Sequence, residues 1–307
     1  MLNGEEARAA RLGLAGHEQP FETMSISPIM PTSSGRVRIA AVSDIHCSRT
    51  SQGTLQPIFA AAAERADVIA ICGDLTDYGL PEEARVLVKE LAGIRAQVVA
   101  VLGNHDYESG RQMELHDILN DAGVHVLDGE AVEILGVGFA GTKGFAGGFG
   151  SGTLGAWGEA EVKSFVNEAI HEALKLETAL ARIRTEPRVA IMHYSPIRGT
   201  VVGESPEIFP FLGCGRLEEP MARYPVAAVL HGHAHNGTPE GATTGGAPVY
   251  NVAMPLLLKL DPDALPVKFI EVAVQHEVHS TEITSRAYIG PERRGGSSTA
   301  TRSTGSA

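Results

Sequence analysis

A chain of 307 residues can hold one large domain or two small ones, and its apolar fraction of 43% is ordinary for a globular fold. The net charge of -12, with no basic stripe, disfavours a long nucleic acid as partner and suits a small substrate steered by bound cations. No uncharged apolar run is long enough to cross a bilayer and no basic-then-apolar leader opens the chain. Cys47, Cys72 and Cys214 are too few and too scattered for a disulfide framework, so the sequence predicts a reduced, cytoplasmic protein with no membrane contact.

Residues 1–36 lack periodicity and read as an irregular lead-in. Strand and helix then alternate. Short apolar runs without polar alternation occur at 37–43, 68–72, 98–102, 189–192 and 226–230, the pattern of strands covered on both faces. Helical patterns fall at 54–66, 81–91, 110–122 and 159–184, the second opened by Pro81 and two acids. The last is expected to bury Val162, Phe165, Val166, Ile170, Leu174 and Ile183. Further strands are predicted at 124–127, 132–135, 137–140, 249–253 and 267–274. Together these give one domain over 37–289, of the α/β class, with two packed sheets and helices outside. The tail at 290–307 is polar, low in complexity and expected to be disordered.

The chemistry lies at the ends of the five apolar runs. After the first comes Asp44-Ile45-His46; after the second, Gly73-Asp74; after the third, Gly103-Asn104-His105-Asp106; after the fourth, His193; after the fifth, His231-Gly232-His233-Ala234-His235. Ligands of α/β sheets gather at the carboxyl ends of strands, so these clusters can converge. Strand alternation would place Asp44 and His46 on one side and turn Cys47 away; the same two-residue step would align His233 with His235. Seven candidate ligands, Asp44, His46, Asp74, Asn104, His193, His233 and His235, exceed what one ion with an open position needs and suit two neighbouring ions. Mixed His, Asp and Asn donors fit divalent or mixed-valence transition metals, Mn or Fe first and Zn next, rather than Ca or Mg.

The ordered set D-x-H, G-D, G-N-H-D, H, G-H-x-H resembles the calcineurin-like metallophosphoesterase family, over about residues 36–253 and with no ligand position substituted. The resemblance implies a four-layer α/β/β/α sandwich of two mixed sheets flanked by helices. It implies that Asp44, His46 and His235 hold one metal, that Asn104, His193 and His233 hold the second, and that Asp74 bridges them. It also implies that His105 serves the leaving group, with Asp106 orienting its imidazole. The expected activity is hydrolysis of phosphodiester or phosphomonoester bonds in small substrates, a nucleotide included, by attack of a metal-bridging hydroxide.

Other residues gain nothing from the motif set. His231 reads as structural or as a support behind the ligands, Asp77 and Tyr78 as a turn and a rim contact, and His17, His116, His125, His171, His276 and His279 as surface or packing residues. The glycine-rich stretch 141–158 is read as a mobile loop that could bring Phe145, Phe149 and Trp157 to the rim, and 195–224 as the other wall of the pocket. Two other classes stay open: a non-catalytic metal- or nucleotide-binding scaffold, and a mononuclear zinc hydrolase of carbon esters or amides. Metal identity, substrate and oligomeric state are not encoded in the motifs.

Overall fold

The computed structural model describes residues 35–274, so the expected tail and most of the expected lead-in lie outside it. In chain order the elements are β1 (Arg36–Val42), α1 (Gln56–Ala63), β2 (Val68–Cys72), α2 (Pro81–Glu90), β3 (Gln97–Val101), α3 (Gln112–Asp121), β4 (Val124–Val126), β5 (Glu130–Ile134) and β6 (Val137–Gly141). There follow α4 (Ala160–Arg182), β7 (Arg188–Ile191), α5 (Phe209–Leu212), α6 (Glu219–Arg223), β8 (Ala228–His231), β9 (Glu240–Ala242), β10 (Pro248–Asn251), α7 (Met254–Leu260) and β11 (Lys268–Ala273).

Two mixed sheets form. The first runs β11-β1-β2-β3-β4, with β1 to β4 parallel and β11 antiparallel at the edge. The second runs β5-β6-β7-β8-β10-β9, parallel through its centre and closed by antiparallel β5 and β9.

The apolar runs are continuous because both faces of the central strands are covered. Along β1, Val37, Ile39 and Ala41 pack with Phe139, Val189, Ile191 and Leu230 between the sheets. Ala40 and Val42 point the other way, into a layer with Phe59, Leu87 and Leu119 of α1 to α3. On the far face of the second sheet, Leu176 and Leu180 of α4 and Met221 of α6 cover Ala140, Ala190, Met192 and Val229. Each large apolar side chain so buried contributes about 1.5–3 kcal/mol, which makes these layers the main driving force. The result is the expected four-layer α/β/β/α sandwich.

Two expectations need correction. The buried face of α4 is Val166, Ala169, Glu172, Ala173, Leu176, Ala179 and Leu180, and Leu174 is exposed. Of the expected positions Val166 and Ile183 are buried and Phe165 packs against the same layer, so the correction is confined to Leu174, while Ala169, Ala173 and Ala179 complete the face. The glycine-rich stretch is a bonded strap. Thr142 Oγ1 and Gly144 N–H donate to Glu172 at 2.6 and 2.8 Å. Gly147 N–H donates to Pro210 O at 2.7 Å and Gly148 N–H to Gly213 O at 2.9 Å. Phe145 turns inward against Phe165, 4.9 Å between ring centroids, and of the three aromatics expected at the rim only Trp157 is exposed.

Candidate metal centre

The carboxyl ends of β1, β2 and β3 meet those of β7 and β8 where the two sheets are laced together. Ser43 N–H donates to Val252 O at 2.9 Å, and Val252 N–H to His231 O at 2.7 Å. The first two loops run side by side: Asp44 N–H donates to Gly73 O at 3.0 Å and His46 N–H to Asp74 O at 3.1 Å. Close approach dictates the glycines. A Cβ on Gly103 would lie 2.2 Å from Asp74 Oδ1, and one on Gly232 would lie 2.3 Å from Asp44 Oδ2.

Strand alternation does not align Asp44 with His46. Both have left-handed backbone, φ 57° and 42°, as do Asp74 at 48° and His233 at 68°. Short polar residues and His tolerate this region better than branched ones, at a cost of roughly 1–3 kcal/mol each. The ligand side chains are therefore aimed by tight turns beyond the strands, not by the pleat. Cys47 is buried in the layer with α1 and α2, where burial and then Glu90 push its thiol up to about 12, too high for a thiolate ligand.

The seven predicted ligands come together. Ligand atoms of Asp44, His46 and His235 lie within 4.8 Å of one another, as do those of Asp74, His193 and His233. A third overlapping group joins His46, Asp74 and His105. Asp74 Oδ2 lies 3.3 Å from His193 Nε2 and 3.9 Å from His46 Nε2, between the two outer groups. Asn104 Oδ1 reaches His193 Nε2 at 2.9 Å, and His235 Nε2 reaches Asp44 Oδ1 at 3.0 Å. His46, His105 and His235 are partly open to solvent; Asp44, Asp74 and His193 are buried.

Backbone carbonyls set the imidazole tautomers. His193 Nδ1–H donates to Cys72 O at 3.0 Å, leaving Nε2 for the site. His233 Nε2–H donates to Phe211 O at 3.2 Å, leaving Nδ1 for the site. These two nitrogens face each other at 3.1 Å, with Asn104 Oδ1 and Asp74 Oδ2 beside them. Four lone-pair carriers converge there, and a positive species must sit among them. A transition-metal cation fits the donor set, and a proton is its competitor. Burial disfavours the His193 imidazolium, but the Asp74 carboxylate outweighs it and pushes the ring up to about 9. Burial and then His193 push His233 down to about 4. Burial also opposes ionisation of Asp44, yet the bond from His235 and the His193 charge hold its carboxyl well below the usual range.

His105 stands at the open side, its ring 4.5 Å from that of His46. Its Nδ1–H donates to Asp77 O at 2.7 Å, so Nε2 is left to face outward chemistry. The expectation that Asp106 orients this imidazole is corrected. Asp106 Oδ1 accepts from Thr76 N–H and Thr76 Oγ1 at 2.8 and 2.6 Å. Its Oδ2 accepts from Leu75 N–H and Gly103 N–H at 3.1 and 2.8 Å. Asp106 therefore ties the second motif loop to the third. Burial and the charge of Asp74 push its carboxyl up to about 6.

His231 is structural, as read. It is fully buried, donates from Nδ1 to Gly232 O at 2.8 Å and accepts at Nε2 from Thr200 Oγ1 at 2.8 Å; burial holds it neutral, at about 4. Sequence reasoning missed the carbonyls of Cys72, Asp77 and Phe211, which leave no trace in residue type. It also missed Glu172, whose charge on the buried face of a helix was a usable signal.

Residues 37–237 match the family described as calcineurin-like phosphoesterase. The chain belongs to that family. Its members are metal-dependent phosphoesterases, and among the described residues the His/Asp groups above could bind metal. Phosphopantetheinyl hydrolase (PptH) from Mycobacterium tuberculosis has a similar fold: TM-score 0.56 at 15% identity, covering 78% of this chain and 97% of that one. A putative 5'-nucleotidase from Staphylococcus aureus is similar at TM-score 0.45 and 16% identity, over 70% of this chain and 48% of that one. No curated protein matches the chain. Among the described residues, no helix is long and apolar enough to cross a membrane.

Proposed function

We propose that this protein is a binuclear-metal phosphoesterase that hydrolyses phosphodiester or phosphomonoester bonds of small substrates. Asp44, His46 and His235 would hold one cation, Asn104, His193 and His233 the other, with Asp74 between them. The observation that carries this reading is the convergence of His193 Nε2, His233 Nδ1, Asn104 Oδ1 and Asp74 Oδ2, which demands positive charge beside a second, equally compact group. Nitrogen and oxygen donors without thiolate favour Mn or Fe, then Zn. Bound as a pair, such cations supply charge against the phosphoryl oxygens and acidify water near neutral pH.

The rest falls to side chains of this protein. The carbonyls of Cys72 and Phe211 keep two imidazoles aimed inward. Asp44 accepts the backbone N–H of His233 at 3.0 Å and so fixes the fifth motif against the first. His105, steered by Asp77 O, offers Nε2 at the open side, where it can give a proton to the departing oxygen.

The test is metal-reconstituted protein assayed on aryl phosphate, bis-aryl phosphate and cyclic nucleotides, with metal content measured alongside. Two equivalents per chain with phosphoester hydrolysis are expected. One equivalent with amide cleavage, or two with no activity on any phosphate, would overturn the reading. In His105→Ala, metal content should hold while hydrolysis of an alkyl ester falls about 10²–10⁴-fold, the usual worth of a positioned acid. An aryl ester, whose leaving group needs less help, should lose far less.

A further inference from the structure

A second concavity lies beside the metal centre. Phe149, Arg198, Pro206, Phe209 and Pro210, with the glycine turn around Gly148, line an open concavity of about 270 Å³, just under the usual size of ligand pockets. Its walls come from the strap that follows β6 and from the segment that follows His193. These are bonded to each other through Gly147 N–H to Pro210 O, Gly148 N–H to Gly213 O, and Gly215 N–H to Gly148 O at 3.0 Å. The pocket is therefore built into the same frame as the ligands. Pro210 in its wall is followed by Phe211, a 59% exposed residue whose carbonyl holds His233. Pro210 and Phe211 are consecutive, so the pocket wall lies one Cα step, about 3.8 Å, from the residue that holds the outer nitrogen of His233.

The lining has a definite chemistry. Two phenyl rings and two proline rings offer flat apolar faces. The Arg198 guanidinium lies 5.6 Å from the Phe209 ring centroid. Among the described residues Arg198 has no carboxylate partner, although acids outnumber bases in the whole chain, 37 to 25. A guanidinium kept free beside ring faces matches a planar group that carries an anion.

We infer that this pocket is a substrate subsite for the group remote from the scissile phosphate: a flat ring with a second anionic group on the same moiety, the anion held by Arg198. The inference rests on the phosphoesterase reading and adds a substrate class to it. Arg198 here is a specificity residue, outside the groups that would hold metal.

The test compares three substrates of the metal-loaded protein: bis(p-nitrophenyl) phosphate, the p-nitrophenyl ester of thymidine 5'-phosphate, and that ester carrying an added 3'-phosphate. The expected order of kcat/KM rises along the series, with the added anion giving about tenfold through one charge-assisted contact. Arg198→Ala should erase the gain from the 3'-phosphate through KM, and Arg198→Lys should keep part of it. Both should leave melting temperature, metal content and hydrolysis of bis(p-nitrophenyl) phosphate unchanged, because Arg198 is exposed and outside the metal centre. Equal use of all three substrates, or a gain from the 3'-phosphate that survives in Arg198→Ala, overturns the subsite while the phosphoesterase reading stands. No hydrolysis of any of the three overturns both.

Discussion

Asp106 follows His105 directly, yet its carboxylate turns from the imidazole and takes four donors from the second and third motif loops. An amide in its place presents one acceptor oxygen and sets an NH₂ against donors. Asp106→Asn should therefore lower stability by about 1–3 kcal/mol, the cost of buried groups left unsatisfied. At about 2–4 °C per kcal/mol for a domain of this size, the loss is readable as a fall in Tm. Lost turnover at an unchanged Tm would instead restore the orienting role. His193 gives a pH prediction. Its folded value, about 9, lies above the ordinary 6.5. In metal-free protein its stabilising contribution is thus complete below pH 6.5 and is lost as pH rises through 9. A cation must displace that proton, so apparent metal affinity should climb about tenfold per unit between pH 7 and 9 and then level off, as calorimetric titration would show. At this scale the sequence was informative about which side chains matter, because Asp, Asn and His at strand ends have few other reasons to recur in that order. It was silent on what aims them. Any residue has a carbonyl, and nothing in the identities of Cys72, Asp77 or Phe211 says that theirs would fix three imidazoles.

The elements deliver the ligands through their ends. Parallel β1, β2 and β3 stop in register, and so do β7 and β8, which brings five short loops to one edge. The runs were legible because two-sided burial removes polar alternation. The boundaries of α1, expected at 54–66 and found at Gln56–Ala63, were less so, since helix ends depend on local bonds. The short helices α5, α6 and α7 and strand β9 were not foreseen; at three to seven residues they carry too little periodicity to register. How tightly the loops nest was also invisible beforehand. Gly103→Ala places a methyl 2.2 Å from Asp74 Oδ1 and 2.3 Å from the Asp74 backbone nitrogen, and backbone cannot step aside. The variant should fold with a stability loss of about 1–3 kcal/mol, typical of overpacking, and bind less than its full complement of metal by elemental analysis.

For the whole molecule, the centre is a seam between two sheets, so metal binding should report on global stability. A cation held at 100 times its Kd adds about 2.7 kcal/mol per site. Chelation should therefore lower Tm by several degrees, and restoring metal should reverse the change; an unchanged Tm would mean that no cation is bound across the seam. The left-handed backbone at positions 44, 46, 74 and 233 has a wider consequence. Those four residues hold a posture that glycine would adopt freely. A library selected for heat resistance alone, with metal withheld, should drift toward glycine at the positions whose side chains bond least, His46 foremost. The survivors would be hardier and inert, and the difference in endurance would measure what this protein gives up to keep its chelating side chains in place.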